Sequence, residues 1–436
     1  MFAIKSTFPL TGQVFLVHGR ININLSRIVA GPRRQKMFHN KNIVLIVSGG
    51  VAAYKSAIFA RLLMKAGATV KVVMTQSATE FITPKTFEAL TQNKVVTDLF
   101  SDQNESLIAH VHLADWADYI FVVPATANIL AKLAQGIGDD AATALLLARH
   151  TSLIVAPAMN VNMFENPATQ RNLATLKADG VIIIDPAEGP LAEGYAGKGR
   201  LPEPAEIMAL AELALRQQNG RLVGQHVLVS AGGTVEPIDP VRYISNRSSG
   251  KMGYAMAQAA AEQGAEVTLV TSVDRPVPAG VKIVAVQSAK DLLETMLAWY
   301  DWADITIMSA AVSDYRVANP ADQKMKKQVN HDAVTLELVE NPDILATLGA
   351  AKTHQFLVGF AAETQDVVQY AQQKLIKKNA DMLVANDVSK DQVGFGHDTN
   401  QVTILRRDHA AETLPLQSKI AIARTIMTSI AMQQDK

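Results

Sequence analysis

The sequence predicts an α/β protein made of two doubly wound, Rossmann-like domains. Two observations carry that expectation. From Lys41 onward, short continuous apolar runs alternate with helical patterns, as in a parallel sheet covered by helices on both faces. Two of those runs enter a glycine-rich turn, IVLIVSGGVAAY at 43–54 and VLVSAGGT at 227–234. The chain therefore starts the same architecture twice.

The elements run in order along the chain. Residues 43–47 read as the first strand. Residues 52–66 carry Tyr54, Ile58, Leu62 and Ala66 at helical spacing, with Lys55, Arg61 and Lys65 elsewhere on the wheel. Gly67 ends that helix. Further strands are expected at 70–74, 119–123, 152–156 and 181–184. A helix over 201–220 closes the unit. The first domain then spans 37–216, a linker 217–224, and the second domain 225–436. In the second domain, strands are expected at 227–234, 267–271, 281–286, 305–310, 356–360 and 382–385. Its helices are expected at 251–263, 288–299, 343–351, 365–379 and 417–432.

Composition narrows the function. The chain has 436 residues, enough for two to three domains with ordinary cores. It is 48% hydrophobic and 19% charged, with 41 basic and 41 acidic residues. That balance gives no electrostatic case for nucleic acid or an anionic membrane as partner. No apolar run reaches the roughly 18 residues of a membrane span. The absence of cysteine removes disulfides, thiolate metal sites and a cysteine nucleophile, and fits a cytoplasmic location. Residues 1–36 hold six Lys or Arg and no Asp or Glu. They read as a disordered extension, either leader-like or upstream of a true start at Met37.

The first turn offers Ser48, Gly49, Gly50 and Val51 as a strand–turn–helix cradle, whose N–H groups favour an anion. A purely structural tight turn is the alternative. A dinucleotide site would place a carboxylate at the tip of the next strand. That tip reads Met74-Thr75-Gln76-Ser77, so Thr75 and Ser77 favour a mononucleotide phosphate held by hydroxyls over NAD. The run PATAN brings Thr126 and Asn128, and PAMNVNM brings Asn160, to carboxyl strand ends. His110 precedes Val111-His112-Leu113, where either histidine also suits an ordinary surface.

In that order, SGG-AAYK, AHVHL-WAD, PATAN, PAMN-NM and LAEGYAGKGR resemble the FMN-dependent phosphopantothenoylcysteine decarboxylases, a flavodoxin-like, homo-oligomeric flavoprotein group. The second unit resembles phosphopantothenate–cysteine ligase. Over nearly all of 41–430 the chain is similar to the bacterial bifunctional coenzyme A biosynthesis proteins. For the first domain the resemblance implies oxidation of a cysteinyl side chain by FMN to a thioaldehyde. Loss of CO₂ comes next, and return of the hydride gives 4′-phosphopantetheine. His110 matches the family's catalytic histidine and Asn160 the residue that binds the substrate carboxylate. Thr126 and Asn128 match flavin contacts, and the flavin sites are expected between subunits. Glu193 stands where the family commonly has a proton-donating cysteine. Three readings stand: Glu193 is the replacement acid, it is a solvated flap residue with the proton coming from elsewhere, or the domain stops at an oxidised intermediate. The alternative function is a ligase whose flavoprotein domain binds or regulates. Gly194, Gly197 and Gly199 suit a flap.

The second turn opens a loop of some twenty residues, AGGTVEPIDPVRYISNRSSGKMG at 231–253. Walker A is rejected, since position 245 is Ser rather than Gly and Met252 replaces the Ser or Thr for magnesium. Gly232, Gly233, Thr234, Ser248, Ser249 and Gly250 remain phosphate donors. Lys374 and Lys378 continue the apolar stripe Val367, Tyr370, Ala371 and Leu375, which means either snorkelling or an anion. Lys324 lies in a second cluster, Lys324-Met325-Lys326-Lys327, which composition alone reads as a solvated face. The resemblance places Lys324, Lys374 and Lys378 at a nucleotide and its reacting phosphate, and Asn246 at an acyl intermediate. It places Asp314, Asn341, Pro342, Asp343, Ile344 and Phe360 in the nucleotide pocket, with Ala310 at the strand end beside it. The implied reaction joins 4′-phosphopantothenate to cysteine through an acyl-cytidylate formed from CTP, with Mg²⁺ on the phosphates. The metal ligands are not identified by any motif.

Overall fold

The computed structural model describes residues 37–101, 108–190, 196–326, 334–363, 367–387, 396–407 and 409–434. The extension 1–36, Glu193, Gly194 and Lys327 lie outside the described residues.

Six strands form the first sheet: Asn42–Val47, Thr69–Met74, Val95–Val96, Tyr119–Ala125, Ser152–Pro157 and Ile182–Ile183. Counted by chain position, their spatial order is 3-2-1-4-5-6, and each pairing is parallel. Leu45, Val47 and Phe121 pack into one core layer, and Val44, Ile46, Ile120 and Val122 into the other. Both faces are dry, which is why these runs are continuously apolar.

The helix Tyr54–Lys65 corrects the expected stripe. Phe59, Ala60 and Leu63 face the sheet, with Ser56 and Lys55 also buried. Tyr54 and Ile58 are 56% and 49% exposed. This helix carries two apolar faces, and the sheet covers the one led by Phe59. Lys55 is enclosed because its Nζ donates to the Leu201 carbonyl at 3.0 Å and to Glu203 at 2.8 Å.

The second sheet repeats the order and extends it. Its strands are His226–Ala231, Glu266–Thr271, Val281–Ala285, Ile305–Met308, Phe356–Glu363, Met382–Asp387, Thr399–Arg406 and Glu412–Ser418. They lie as 3-2-1-4-5-6-7-8, and the last two pair antiparallel. Those two strands were not anticipated. Their signal is the burial of alternate residues Asn400, Val402 and Ile404, a period of two that marks a half-covered edge. The long loop after Ala231 also folds, pairing Val235–Pro237 with Tyr243–Ser245. A second short ribbon pairs Tyr315–Val317 with Leu338–Glu340.

The helix Val367–Lys377 has a narrower buried face than its pattern suggests. Ala371 and Leu375 are buried, whereas Tyr370 is 50% exposed and Lys374 is exposed. Two inward positions per two turns suffice to seat this helix on its sheet, so the stripe does not extend to Lys374. Among the described residues, no helix is long and apolar enough to cross a membrane.

The segment joining the sheets is pinned. Helix Pro204–Gln217 ends the first domain, and Leu222 is fully buried in the core of the second. Leu222 N–H donates to the Gln263 carbonyl at 2.9 Å. Gly220 lies so close that a Cβ would stand 2.3 Å from that same oxygen. Glu262, on helix Lys251–Glu262, accepts from Arg424 at 2.6 and 2.8 Å, and Arg216 Nε lies 3.7 Å away. Burial alone would raise the Glu262 pKa. The hydrogen bond and charge of Arg424, with Arg216 behind it, outweigh burial and hold the carboxyl below its ordinary value.

Glu262→Ala leaves two guanidinium groups without their carboxylate. It should lower stability by about 3 kcal/mol at pH 7, read by denaturant unfolding. A depressed folded pKa contributes stability above the unfolded pKa and loses it as pH falls through the folded value. The difference between wild type and variant should therefore shrink in acid; a constant difference would remove Glu262 ionisation as the cause.

Candidate active sites

Each sheet reverses its strand order between the first and fourth strands, and a cleft opens at each reversal. The first cleft has a volume of about 390 Å³. Its floor is the turn Gly49–Val51, and its walls come from Thr126 and from Met159, Asn160 and Met163. Gly49 is required there, since a Cβ would sit 2.4 Å from the Ser77 Cβ and 2.7 Å from the Ser77 carbonyl oxygen. Asn160 caps the helix Val161–Glu165, its Oδ1 accepting from Asn162 N–H at 2.9 Å. The hairpin of Ala187–Pro190 and Ala196–Arg200 closes on this turn. Met159 N–H donates to the Gly199 carbonyl at 3.0 Å, and a Cβ on Gly199 would meet the Met159 oxygen at 2.2 Å.

Gly49, Gly50, Val51, Thr126 and Asn160 thus line one cleft. Ser48 is buried behind it, donating to the Pro124 carbonyl at 2.8 Å and accepting from Thr126 N–H at 3.1 Å. Its hydroxyl serves the frame of the cleft. Thr75 and Ser77 stand at the neighbouring strand tip. Among the described residues Thr75 Oγ1 is buried with no hydrogen-bond partner. Asn128 is exposed and does not line the cleft, nor does half-buried His110, which lies on the helix Ala109–Trp116. The cleft adds residues that sequence reasoning did not single out: Lys55, Met159, Met163 and Arg200. Lys55 and Arg200 sit inside the quoted runs SGG-AAYK and AGKGR, and that was their only signal. Neither Thr75 nor Ser77 lines the cleft. The apolar wall and the glycine floor fit a flat aromatic ring system carrying an anionic tail.

The second cleft, of about 410 Å³, gathers Ala310, Asp314, Asn341, Pro342, Asp343, Ile344 and Phe360. Seven residues spread over fifty positions meet because strands four and five of this sheet are neighbours. Asn341 N–H donates to the Asp314 carbonyl at 2.8 Å, and its side-chain amide donates to the Ser313 carbonyl at 2.8 Å. Asp343 caps the helix Ile344–Ala351 by accepting from Ala346 N–H. Burial opposes ionisation of Asp343, but Lys378 and the Ala346 N–H outweigh it and keep the carboxyl below its usual range. Lys378 is mostly covered and paired with Asp343. Ser313, which also lines this cleft, has a buried Oγ with no partner among the described residues.

Asn246, Lys324 and Lys374 are exposed and do not line this cavity. Asn246 Nδ2 donates to the Val312 carbonyl at 3.1 Å, which sets it at the cleft's edge. Lys324 is placed by a neighbour that the sequence did not flag. Asp239 is buried and accepts from Arg242 Nε at 3.0 Å and Nη2 at 2.6 Å. It also accepts from Met325 N–H at 3.2 Å, while Arg242 Nη2 donates to the Met325 carbonyl at 3.1 Å. The Arg242 guanidinium, helped by these N–H groups, holds the Asp239 carboxyl well below the carboxylate range. The residue after Lys324 is therefore clamped to the loop that extends from the second glycine turn.

Asp239→Asn removes the charge from this clamp. Trypsin should then cut at Lys324 or Lys326 roughly fivefold faster as the loop loses local order. An unchanged cleavage rate would show that Asp239 does not hold the loop.

Comparison with known proteins agrees with two fused units. Residues 32–213 match the family described as Flavoprotein, and residues 222–433 match the DNA/pantothenate metabolism flavoprotein C-terminal domain. Coenzyme A biosynthesis bifunctional protein CoaBC of Bacillus subtilis (strain 168) is 49% identical over 399 residues, covering 91% of this chain and 98% of its own. The protein of the same name from Vibrio cholerae serotype O1 is 46% identical over 395 residues, covering 90% and 98%. That of Escherichia coli (strain K12) is 42% identical over 399 residues, covering 91% and 98%. Such identity along both domains, in the same order, means that the chain belongs to the family of coenzyme A biosynthesis bifunctional proteins.

Proposed function

We propose that the chain catalyses two consecutive steps, CTP-dependent ligation of 4′-phosphopantothenate to cysteine and then decarboxylation of 4′-phosphopantothenoylcysteine to 4′-phosphopantetheine. The observation that carries this reading is the pair of reversal clefts, each gathering the residues of a different expected site.

In the ligase step the carboxylate of 4′-phosphopantothenate attacks the α-phosphorus of CTP. An acyl-cytidylate forms and pyrophosphate leaves. The amine of cysteine then attacks the acyl carbon and CMP departs. Phe360 and the Asn341–Ile344 turn enclose the nucleoside. Lys324, carried on the clamped loop, and Lys378, oriented by Asp343, meet charge that develops on the transferred phosphate. Lys374 extends that positive side, and Asn246 at the rim holds the acyl group. Mg²⁺ would be held mainly by the nucleotide's phosphates and would supply charge neutralisation there. Among the described residues no cluster of three acidic or histidine side chains brackets a metal.

In the decarboxylation step FMN, when bound, supplies a reversible hydride sink. The Gly49–Val51 turn would hold its phosphate, with Thr126 beside it in the same cleft. The Asn160 amide holds the substrate carboxylate until CO₂ leaves. Glu193 donates the last proton. His110 acts from a second copy of the chain, because it does not reach the cleft of its own. Val51, Tyr54 and Met163, which line that cleft, are 49–65% exposed. An apolar rim of this kind is what a second subunit covers.

The test is a two-step assay with 4′-phosphopantothenate, cysteine, CTP and magnesium. CMP, pyrophosphate, CO₂ and 4′-phosphopantetheine are expected. CMP without CO₂ would reduce the first domain to a binding or regulatory role, and absence of CMP would defeat the ligase assignment. Glu193→Gln should let an enethiol product accumulate, whereas unchanged product and turnover would refute its acid role. Gly49→Ala should weaken FMN retention at least about tenfold, equivalent to ~1.4 kcal/mol and within the overpacking range. Flavin absorbance after dialysis reads this directly, and undiminished yellow protein would contradict the cradle.

A further inference from the structure

Lys55 and Arg200 line the first cleft, and no aspartate or glutamate lines it with them among the described residues. The two cations come from separate elements. Lys55 lies in the first turn of the helix Tyr54–Lys65, just beyond the glycine floor. Arg200 ends the second strand of the hairpin that closes on Met159. They meet through a carboxylate that stands outside the lining, that of Glu203.

One oxygen joins them. Glu203 Oε1 accepts from Lys55 Nζ at 2.8 Å and from Arg200 Nη2 at 3.1 Å. With the Leu201 carbonyl, these bonds engage two of the three ammonium donors and one of the five guanidinium donors. Exposure is uneven across the bridge. Lys55 is 5% exposed, whereas the side chains of Arg200 and Glu203 are 45% and 61% exposed. A buried ammonium is therefore balanced by a carboxylate that reaches it from solvent and is not part of the cleft.

The same carboxylate has a local alternative that it does not take. Glu203 is the residue before the helix Pro204–Gln217, yet its side chain makes no bond to that helix start. Free N–H groups and the helix dipole both favour a carboxylate there. The hydrogen bond and charge of Lys55, with Arg200 adding to them, outweigh desolvation and hold the Glu203 carboxyl below its ordinary value.

We propose that Glu203 is a positioning residue of the first cleft, which holds Lys55 and Arg200 together and so sets the affinity of that cleft for an anionic group. The assignment rests on the decarboxylation reading above. Two sources share this chemistry: the phosphate of FMN, and the carboxylate or phosphate of the acid substrate. Glu203 touches neither. Long lysine and arginine side chains lose rotamer freedom when they grip a ligand. Held in place beforehand by Glu203, they lose less, and the anion binds more tightly with no contact added. The negative charge of Glu203 opposes this only weakly, because it is solvated and screened, while the ammonium that it holds is buried, where attraction is stronger.

The test uses the full chain with FMN bound. Glu203→Ser removes the bridge but leaves a hydroxyl suited to cap the helix. It should raise the Kd for FMN or the KM for 4′-phosphopantothenoylcysteine by roughly fivefold or more, with kcat within about twofold. Flavin fluorescence released on dilution reads the first constant, and initial rates of CO₂ release read the second. A raised Kd alone assigns the flavin phosphate, a raised KM alone the acid substrate, and a rise in both a shared contact. Glu203→Gln keeps an acceptor oxygen in place and should lie closer to wild type than the serine variant does. If both constants are unchanged in Glu203→Ser, the proposal is overturned. Thermal unfolding checks that the variant folds; should it not, Glu203→Ala takes its place. The serine change should act by a smaller factor in Lys55→Met and Arg200→Met backgrounds. Equal factors in both would show that Glu203 acts through neither cation and overturn the proposal. A wild-type chain that binds FMN but releases no CO₂ would defeat the decarboxylation reading and leave the FMN measurement to decide on Glu203.

Discussion

A buried serine at the end of each sheet's first strand ties that strand to the chain leaving the fourth. Ser48 Oγ accepts from Thr126 N–H and Ser230 Oγ accepts from Ala310 N–H, both at 3.1 Å. The two serines are 1% and 0% exposed. At this seam the connections depart to opposite faces of the sheet, so nothing fills the space between them. The serine bridge keeps the two strand ends together while the crevice above them stays open. Both clefts are built on this bond.

From that common seam the two domains diverge in the stretch of chain beyond the glycines. After Ser48 the chain turns at once into a helix, and the floor of the cleft is bare backbone pressed against Ser77. After Ser230 the chain first makes a short ribbon and then returns to a helix at Lys251. That detour brings Asp239 and Arg242 out to grip the segment beside Lys324. A short turn suits a fixed ring system with one anionic end. A long clamped loop suits a polyanion that must enter, react and leave in pieces.

The domains are joined as one body rather than strung on a tether. Leu222 is part of the second core, Gly220 presses on Gln263, and Glu262 gathers arginines from both sides. The helix that holds Glu262 at its far end begins at Lys251, beside a cavity that shares Ala310 and Phe360 with the second cleft. Under the proposed order of steps, the second domain makes what the first consumes.

Sequence by itself determined the parallel strands and the two glycine turns, whereas the seven residues that line the second cleft were named only through the family resemblance. Continuous apolar runs and strand-end motifs are local signals, and strand order carries residues such as Ala310 and Asn341 to one place once the sheet forms. It also carried the turn Gly49–Val51 to Asn160 across the first cleft. It did not show that Tyr54 and Ile58 face outward while Lys55 is buried, since a helix with two apolar faces gives no hint of which the sheet will cover. Nor did it show that Lys374 is exposed, that Asp239 governs the Lys324 loop, or that Glu203 joins Lys55 to Arg200. The last two depend on contacts between residues from about 85 to 150 positions apart. Only the tertiary structure decided them, because burial and like-charge proximity are properties of packed elements and leave no periodic trace in the chain.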